Sequence, residues 1–407
     1  MEIKFLGGAS QVGRLGMLLH RGTQMLLFDY GLLPSRPPQY PIEAPPVDAM
    51  LLSHAHLDHS GMIPWLTAAY DIEVYGTPPT LEVADLLLED SLKVANNEGF
   101  RSAFDEEDII RARELFRPFE FRDTLDIGGL EILTHSAGHI PGATMYEVNA
   151  EKTILFSGDI HTLNSDLVIG AKPVKCDILV LESTYAGRQH LPREQVQKDF
   201  LRKVRAVRQR GGMAVVPAFA VGRTQDILLT LARERFDMWL DGMGKTVNSI
   251  YVNYPGYVRS VGKLRSAMQR TRLISGRLGM EKAIRGEVIV TTSGMLDGGP
   301  VLSVIEKIRE DKNSAILLTG YQVEGTNGRR LLEKGSVDLY GVEVFPKCEV
   351  AKFDFSAHAG HDDLVRFVEA CDPEKVVLMH GDNRQLLADA IQGREVLMPK
   401  EDEWVTL

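Results

Sequence analysis

Short, mainly apolar segments alternate with turns in the first part of the chain. Such segments occupy residues 25–28, 130–133, 153–156 and 177–181, and polar or glycine residues bound each of them. Segments of this length predict buried strands. Between them, residues 81–94 and 97–117 carry apolar and charged residues at helical spacing, which predicts two helices.

The pattern changes near residue 194. Residues 194–210 predict a helix that is rich in arginine and lysine. Strands are then predicted near residues 213–216, 238–240, 287–291 and 315–318, with glycine turns and helices between them. Strand, turn and helix in alternation are typical of a parallel α/β sheet. The first pattern resumes from about residue 350, and a length of 407 residues favours two domains.

Composition narrows the class of protein. Hydrophobic residues at 44% and charged residues at 25% are typical of a soluble globular protein. No apolar run approaches the ~20 residues that span a bilayer, and the N-terminus has no signal-peptide layout. Three cysteines at 176, 348 and 371, without a CxxC pair, indicate a reducing cytosol and argue against zinc ligation by thiolates.

Charge is unevenly distributed along the chain. A net charge of −10 does not favour a nucleic-acid-binding protein, so a polyanion would need a local basic face. Between Asp241 and Glu281 the sequence has no acidic residue, but it has Lys245, Arg259, Lys263, Arg265, Arg270, Arg272 and Arg277. This stretch is either a solvated surface or a set of phosphate contacts.

The strongest chemical signal is the motif His54-x-His56-x-Asp58-His59, which follows the apolar residues 50–52. In an extended segment, residues two apart point the same way, so His54 and His56 can hold one metal ion together. Asp58 and His59 come where the chain turns into a predicted helix. They therefore face a different point, where a second ion is expected.

Further candidate ligands lie where predicted strands end. His139 lies in a glycine-flanked turn, Asp159 follows a strand and Gly158, and His380 ends a strand rich in valine and leucine. Each taken alone is more often structural. Ligands in layered α/β folds converge at one edge of a sheet, which makes a shared metal site more plausible for all three.

The order of these residues resembles the metallo-β-lactamase fold. Later segments resemble its β-CASP branch of nucleases, and they are Glu182 after a strand, His358 within residues 355–358, His380, and residues 217–223, 292–295 and 320–329. The chain is similar to archaeal homologues of the endonuclease subunit of the cleavage and polyadenylation specificity factor. Because it begins directly at the catalytic fold, we expect no KH domains.

The resemblance implies an α/β protein in which a metallo-β-lactamase αββα sandwich carries an inserted α/β β-CASP domain. Residues 1–186 and 350–407 would form the metallo-β-lactamase domain, and residues 187–349 the β-CASP domain. The changes of pattern near residues 194 and 350 agree with this division.

The resemblance also implies roles for the site residues. His54, His56 and His139 would hold one zinc ion, Asp58, His59 and His380 the other, and Asp159 would bridge the two. Asp29 would orient the metal-binding loop. His358 would protonate the leaving 3′ oxygen and Glu182 would hold its imidazole, with Asp58 also among the catalytic residues.

The expected function is that of a zinc-dependent ribonuclease that leaves a 5′-phosphate and a 3′-hydroxyl. RNA would be the partner, with phosphate contacts from Arg265, Arg270, Arg272 and Arg329. The location would be cytoplasmic and a homodimer is possible. Endonuclease action and 5′-to-3′ exonuclease action both remain open.

Three alternatives use the same motifs. The first is a small-molecule hydrolase of the lactamase type, which would not need the basic insertion or the pair of Glu182 and His358. The second is a DNA nuclease of the same branch, although members that act on DNA commonly lack a histidine at the position of His380. The third is a catalytically dead scaffold subunit, which would have lost ligands that this chain retains.

Overall fold

The structure, a computed structural model, describes residues 1–407 and divides the chain into two units. The first unit contains Met1–Asn164, Ile169–Gln189 and His358–Leu407. The second unit contains Ser165–Val168 and His190–Ala357. The chain therefore leaves the first unit, builds the second, and returns.

The first unit contains two seven-stranded sheets and six helices. Its strands are β1 (Glu2–Gly7), β2 (Gly16–Arg21), β3 (Gln24–Phe28), β4 (Ala49–Leu51), β5 (Glu73–Gly76), β6 (Phe116–Pro118), β7 (Thr124–Ile127), β8 (Leu130–Ser136), β9 (Thr144–Asn149), β10 (Thr153–Phe156), β11 (Ile178–Glu182), β20 (Lys375–Met379), β21 (Glu395–Leu397) and β22 (Trp404–Thr406). Its helices are α1 (Leu57–Ser60), α2 (Ile63–Tyr70), α3 (Pro78–Glu98), α4 (Glu106–Glu114), α12 (His361–Cys371) and α13 (Arg384–Ala390).

The two sheets have the orders β22-β1-β2-β3-β4-β5-β6 and β21-β20-β11-β10-β9-β8-β7. Their facing side chains form one core, in which the Phe28 ring lies 5.0 Å from that of Phe156 and 5.9 Å from that of Tyr146. β11 is buried at all five positions, as expected for a strand covered on both faces. The predicted αββα sandwich is confirmed.

The return of the chain completes the second sheet. β20 pairs in parallel with β11, so that Glu182 lies opposite Met379. The Ser183 hydroxyl donates to the Met379 carbonyl at 2.5 Å, and the Thr184 hydroxyl donates to that of His380 at 3.2 Å. Residues on either side of the insertion thus become neighbours.

The second unit contains a six-stranded parallel sheet of order β14-β13-β15-β12-β16-β19 and a separate hairpin, β17–β18. Its strands are β12 (Ala214–Pro217), β13 (Met238–Leu240), β14 (Thr271–Leu273), β15 (Val288–Thr291), β16 (Ala315–Leu318), β17 (Val337–Leu339), β18 (Val342–Val344) and β19 (Glu349–Lys352). Its helices are α5 (Arg193–Gln209), α6 (Arg223–Leu231), α7 (Gly244–Asn253), α8 (Val261–Gln269), α9 (Gly276–Ala283), α10 (Pro300–Ile308) and α11 (Asn327–Lys334), with a short 3₁₀ turn at Pro255–Tyr257. The predicted parallel α/β insertion is confirmed.

The second unit ends at Ala357, whereas the predicted β-CASP segment ends at residue 349. β19 pairs with β16 in the second sheet, and the Phe353 amide donates to the Leu318 carbonyl at 2.8 Å. Residues 350–357 therefore belong to the second unit, although the sequence placed them in the first. An apolar pattern alone does not show which sheet a strand joins, because both sheets bury such strands.

One predicted helix is too long. Residues 97–117 contain only α4, preceded by the end of α3 and followed by β6. Gly99, at φ 73°, ends α3 in the left-handed region, and the Asp105 side chain accepts from the Asp108 amide in a capping box. Residues 100–104, between these two signals, form a loop. The other predicted helix, over residues 81–94, lies within α3 and is confirmed.

The charged side chains of the basic helix α5 lie on its outer face and pair with acidic residues. Its buried positions Val196, Phe200, Val204 and Val207 recur at helical spacing, so its arginines and lysines face outward. Acidic partners meet them within the second unit, and these pairs are Arg202–Asp199, Lys203–Glu349, Arg205–Glu234, Arg208–Glu287 and Arg210–Glu349. None of the helices has the length and apolar character needed to span a membrane.

Candidate metal centre

The loop that follows β4 carries the histidine motif, and its backbone is fixed on three sides. The Tyr30 amide donates to the His59 carbonyl at 2.7 Å, the Leu32 amide to that of Leu57 at 2.8 Å, and the Leu15 amide to that of Asp58 at 2.8 Å. Neighbouring backbone amides thereby bond to the carbonyls of the loop. The side chains of the loop are not needed for these bonds and can turn toward the other ligand residues.

Gly31 allows this close approach. A Cβ atom at Gly31 would lie 1.8 Å from the backbone oxygen of Asp58 and 2.4 Å from the nitrogen of His59. No other residue type fits at this position without moving the loop.

The structure brings the first group of predicted ligands together. His54, His56, His139 and Asp159 each offer one ligand atom within 4.8 Å of the others. His54 Nε2 lies 3.0 Å from His56 Nδ1, and His139 Nε2 lies 3.3 Å from the same atom. Imidazole nitrogens this close converge on one point, as ligands of a single ion do.

Asp58, His59 and His380 form a second group within the same limit. Asp58 Oδ2 lies 3.7 Å from His380 Nε2 and 3.9 Å from His59 Nε2. His380 has a backbone φ of 51°, in the left-handed region, and its amide donates to the Gly8 carbonyl at 2.9 Å.

Asp159 lies between the two groups. Its Oδ2 is 3.6 Å from His54 Nε2 and 3.5 Å from His59 Nε2, and its Oδ1 is 3.8 Å from His380 Nε2. One carboxylate oxygen thus faces both groups and the other faces His380. This geometry suits a carboxylate that bridges two cations.

Asp29 orients His59. Its Oδ2 lies 2.7 Å from His59 Nδ1 and accepts from the Ser53 hydroxyl at 2.7 Å, while its Oδ1 accepts from the Ser53 amide at 2.6 Å. A carboxylate on Nδ1 fixes the imidazole so that Nε2 turns to the ligand cluster. The Ser53 hydroxyl also lies 3.1 Å from His54 Nδ1, so one serine ties together both halves of the motif.

Glu182 and His358 form a third group with Asp159. His358 Nδ1 lies 3.2 Å from Glu182 Oε1, which also accepts from the Ile160 amide at 2.9 Å. Glu182 Oε2 accepts from the Thr184 amide at 3.2 Å. The fully buried Glu182 is thus held rigidly against one face of the partly exposed His358.

Burial and charge set the protonation of the cluster. Burial, aided by the neighbouring His59, holds the pKa of His54 well below its ordinary value, and burial lowers that of His56 to about 4. Burial also acts to lower the pKa of His358, but the carboxylates of Glu182 and Asp159 outweigh it and raise that pKa to about 9. Neutral His54 and His56 are in the form that binds metal.

Several ligand atoms have no hydrogen-bond partner although they are buried. They are His59 Nε2, His380 Nε2 and Asp159 Oδ1. Buried polar atoms without partners are costly, and a cation among imidazole nitrogens and carboxylate oxygens would satisfy all three. The donor set of nitrogen and oxygen atoms, without a thiolate, therefore fits metal ions such as zinc.

The sequence analysis did not identify two contributors to this site. Ser53 anchors Asp29 and His54, and its position directly before the motif was the available signal. Tyr185 lies with its ring 5.8 Å from that of His358, and it follows Glu182 closely in the sequence. Neither residue is a metal ligand by type, which is why a search for ligand patterns passes over them.

The four arginines expected to bind RNA all have partners in the second unit. Arg265 donates to the Val252 carbonyl at 3.1 Å, and Arg270 donates to the carbonyls of Ala232 and Glu234.

Arg272 pairs with Asp237 at 3.4 Å and stacks 5.4 Å from the Trp239 ring. Arg329 pairs with Glu333 at 2.6 Å. The stretch has no acidic residue in its own sequence, but an acidic residue from elsewhere in the second unit lies beside it. The RNA contacts of these arginines stay a prediction.

Three family descriptions match this chain. Residues 26–172 match the metallo-beta-lactamase superfamily domain, and residues 224–331 match the Beta-Casp domain. Residues 346–399 match the Zn-dependent metallo-hydrolase RNA specificity domain. The first and last of these matches include the histidine motif, Asp159, His358 and His380.

Individual relatives extend the likeness over most of the chain. "Probable RNase MJ4" of Methanocaldococcus jannaschii is 35% identical over 95% of this chain and 94% of its own length. "RNase aCSPSF2" of Saccharolobus solfataricus is 33% identical over 100% of this chain and 85% of its own length. A crystal structure of a protein of unknown function from Enterococcus faecalis covers 100% of this chain and 99% of its own, with a TM-score of 0.66 and 14% identity, which supports the fold alone.

Replacing Gly31 by alanine tests whether the loop's close packing sets the metal site. Because the new Cβ would clash with the Asp58 carbonyl, we expect Gly31→Ala to lower the free energy of unfolding by about 2–3 kcal/mol and to reduce bound metal. Chemical denaturation and elemental analysis measure the two effects. Gly262→Ala is the control, since a Cβ there meets no atom within 4 Å and alanine favours helix α8. Wild-type stability and metal content in Gly31→Ala would contradict this account.

Proposed function

The chain belongs to the β-CASP branch of the metallo-β-lactamase superfamily, and on that premise we propose that it is a zinc-dependent ribonuclease. It hydrolyses phosphodiester bonds of RNA and leaves a 5′-phosphate and a 3′-hydroxyl. The observation that carries the proposal is the meeting of seven ligand side chains from loops that follow strands of both sheets, with the pair of Glu182 and His358 beside them.

The relatives support RNA as the substrate. Two of them that span most of the chain bear ribonuclease names, and the matched description over residues 346–399 is that of an RNA specificity domain. The phosphate contacts proposed for Arg265, Arg270, Arg272 and Arg329 lie in the second unit. A homodimer and a cytoplasmic location are further proposals that rest on the sequence alone.

Two zinc ions are the proposed cofactors. His54, His56 and His139 would hold one, Asp58, His59 and His380 the other, and Asp159 would contact both. When bound, such ions polarise a phosphoryl oxygen and bring water to reactivity near neutral pH. Asp29 keeps His59 Nε2 turned toward this cluster, so it contributes through the orientation of a ligand.

The second part of the proposed mechanism is a proton transfer by His358. Glu182 bonds to His358 Nδ1, so Nε2 is the ring nitrogen that would pass a proton to the leaving 3′ oxygen. Glu182 also favours the charged imidazolium by its own buried charge. Amides of Ile160 and Thr184 hold the Glu182 carboxylate in place, so the acid is oriented before substrate arrives.

The alternatives have less support. A small-molecule hydrolase would not need a second unit with its own core, nor the buried partner of His358. A scaffold subunit without activity would be expected to lack ligands, whereas all seven converge here. A DNA nuclease shares the chemistry, and the choice of polymer separates it from a ribonuclease.

Digestion of labelled polymers tests the proposed function. The wild-type protein should carry close to two zinc ions and cleave a 5′-labelled RNA, but leave DNA of the same sequence intact. Removal of metal by a chelator should abolish cleavage, and added zinc should restore it.

Asp159→Asn removes the charge shared by both ligand groups, so it should lower zinc content and reduce turnover by more than about 100-fold. Asp382→Asn is the matched control, because Asp382 is exposed beside His380. Cleavage of DNA but not RNA, or full activity in protein without transition metal, would overturn the proposal.

His358→Ala tests proton transfer separately from metal binding. We expect full zinc content and near-normal RNA affinity, with single-turnover cleavage slower by ~10²–10⁴ because the leaving oxygen loses its acid. Glu182→Gln should slow cleavage less, since the imidazole keeps its place but loses the buried charge. His135→Ala removes another histidine paired with a glutamate, at 2.7 Å from Glu147, and should leave cleavage unchanged. Loss of zinc together with activity in His358→Ala would make this residue a ligand instead.

Arg265 and Arg272 are the two proposed phosphate contacts to test by binding. Their replacement by alanine should weaken RNA binding and reduce the salt dependence of log K by ~1–2, because fewer counterions are displaced. Arg270 is left intact, since it bonds to two backbone carbonyls and its loss would disturb the fold. Arg21→Ala, which removes an arginine of the first unit, is the control. An unchanged salt slope in the double variant would mean that the stretch is a solvated surface.

A further inference from the structure

Two of the three cysteines, Cys176 and Cys371, are neighbours in the first unit. The Cys176 amide donates to the Cys371 carbonyl at 3.4 Å, and each thiol is close enough to shift the pKa of the other. A backbone N–O distance of 3.4 Å keeps the two Cα atoms within ~7 Å of each other, and disulfides join Cα atoms ~4.4–6.8 Å apart. The third cysteine, Cys348, lies in the second unit.

The pair joins two structural elements at their ends. Cys176 lies two residues before β11, and Cys371 is the last residue of α12. Both thiols are buried, with 8% and 0% of the residue exposed. Interaction with the Cys176 thiol lowers the pKa of the Cys371 thiol, burial opposes this shift, and nearby Lys175 acts in the same direction as Cys176. Cys371 is therefore the sulfur that more readily becomes a thiolate.

We propose that Cys176 and Cys371 form a reversible disulfide when the protein meets a peroxide. Because both thiols are buried, the reaction requires a local opening at the end of α12. The Cys371 thiolate then attacks a peroxide oxygen, so that an S–O bond forms and the O–O bond breaks. The Cys176 sulfur then attacks the Cys371 sulfur, and the S–S bond replaces the S–O bond. The two sulfurs lose two electrons, and with hydrogen peroxide the product is two molecules of water.

The position of the pair in the chain gives this bond its effect. It would close a loop of roughly 195 residues that contains the whole 190–357 segment of the second unit, and long closed loops restrict the unfolded chain most in the entropic account. The bond would also fix β11, which ends in Glu182, to α12, which begins three residues after His358. The thiols lie at the far ends of both elements, about 15 Å along α12 from its first residue. The disulfide would therefore stabilise the protein without changing the site.

Mild oxidation of the intact protein tests this inference. After treatment with hydrogen peroxide, wild-type protein should lose the mass of two hydrogen atoms and yield one cross-linked peptide that contains Cys176 and Cys371. Its unfolding on heating should slow at least several-fold, and a thiol reductant should reverse both changes. RNA cleavage at moderate temperature should be unchanged. Failure of the proposed ribonuclease activity would leave the mass and denaturation measurements valid.

The variants identify the pair. Cys348→Ser should behave as wild type, whereas Cys176→Ser and Cys371→Ser should form no cross-link and gain no resistance to heat on oxidation. Serine keeps a hydroxyl in place of each thiol, so the reduced variants retain a polar partner. Three results would overturn the inference: a cross-link that involves Cys348, oxidation of either sulfur to a sulfinic acid without a cross-link, or a cross-link that does not slow thermal unfolding.

Discussion

Burial of polar groups where strands of both sheets end is the constraint on which the first unit depends. His54, His59, Asp159 and His380 are almost completely enclosed, and three of their ligand atoms have no hydrogen-bond partner. Each such atom costs free energy unless a cation or a polar group meets it. The fold offsets part of that cost through Asp29 and Ser53, and bound metal would offset the rest. Site and stability are therefore linked, because the same atoms would bind metal and carry the unfavourable burial.

That constraint explains why the first unit must be completed after the insertion. His380 and His358 come from the returning segment, while Glu182 and Asp159 precede the insertion. Parallel pairing of β11 with β20 places the ends of both strands side by side, so the later residues complete a cluster that the earlier ones began. An inserted unit is tolerated at this point because the chain leaves after β11 and re-enters before the neighbouring strand. The sheet itself is not interrupted.

In the second unit, charged side chains are paired with neighbouring groups. The arginines of α5 and of the acid-free stretch are concentrated in sequence, but acids and carbonyls from other elements meet them in space. Exposed pairs of this kind contribute little to stability, and phosphates can compete for their arginines. Arg270 differs from these arginines because its guanidinium donates to two backbone carbonyls just after helix α6. Charge counted along the chain therefore overstates the basic surface that is available to a polyanion.

The sequence by itself determined the metal ligands as candidates, the sandwich with its inserted α/β unit, and the helix over residues 81–94. The grouping of His54 with His56 and the helix follow from local spacing, that is from two-residue alternation and helical periodicity. The sandwich with its inserted unit was implied by the resemblance of the chain's motifs to the β-CASP branch. Tertiary structure alone decided which sheet residues 350–357 join and which groups meet Arg208, Arg210, Arg270 and Arg272. It also decided that Cys176 and Cys371 are neighbours, although the sequence showed only three separate thiols. Each of these depends on contacts between residues far apart in the chain, and a local pattern holds no record of such contacts.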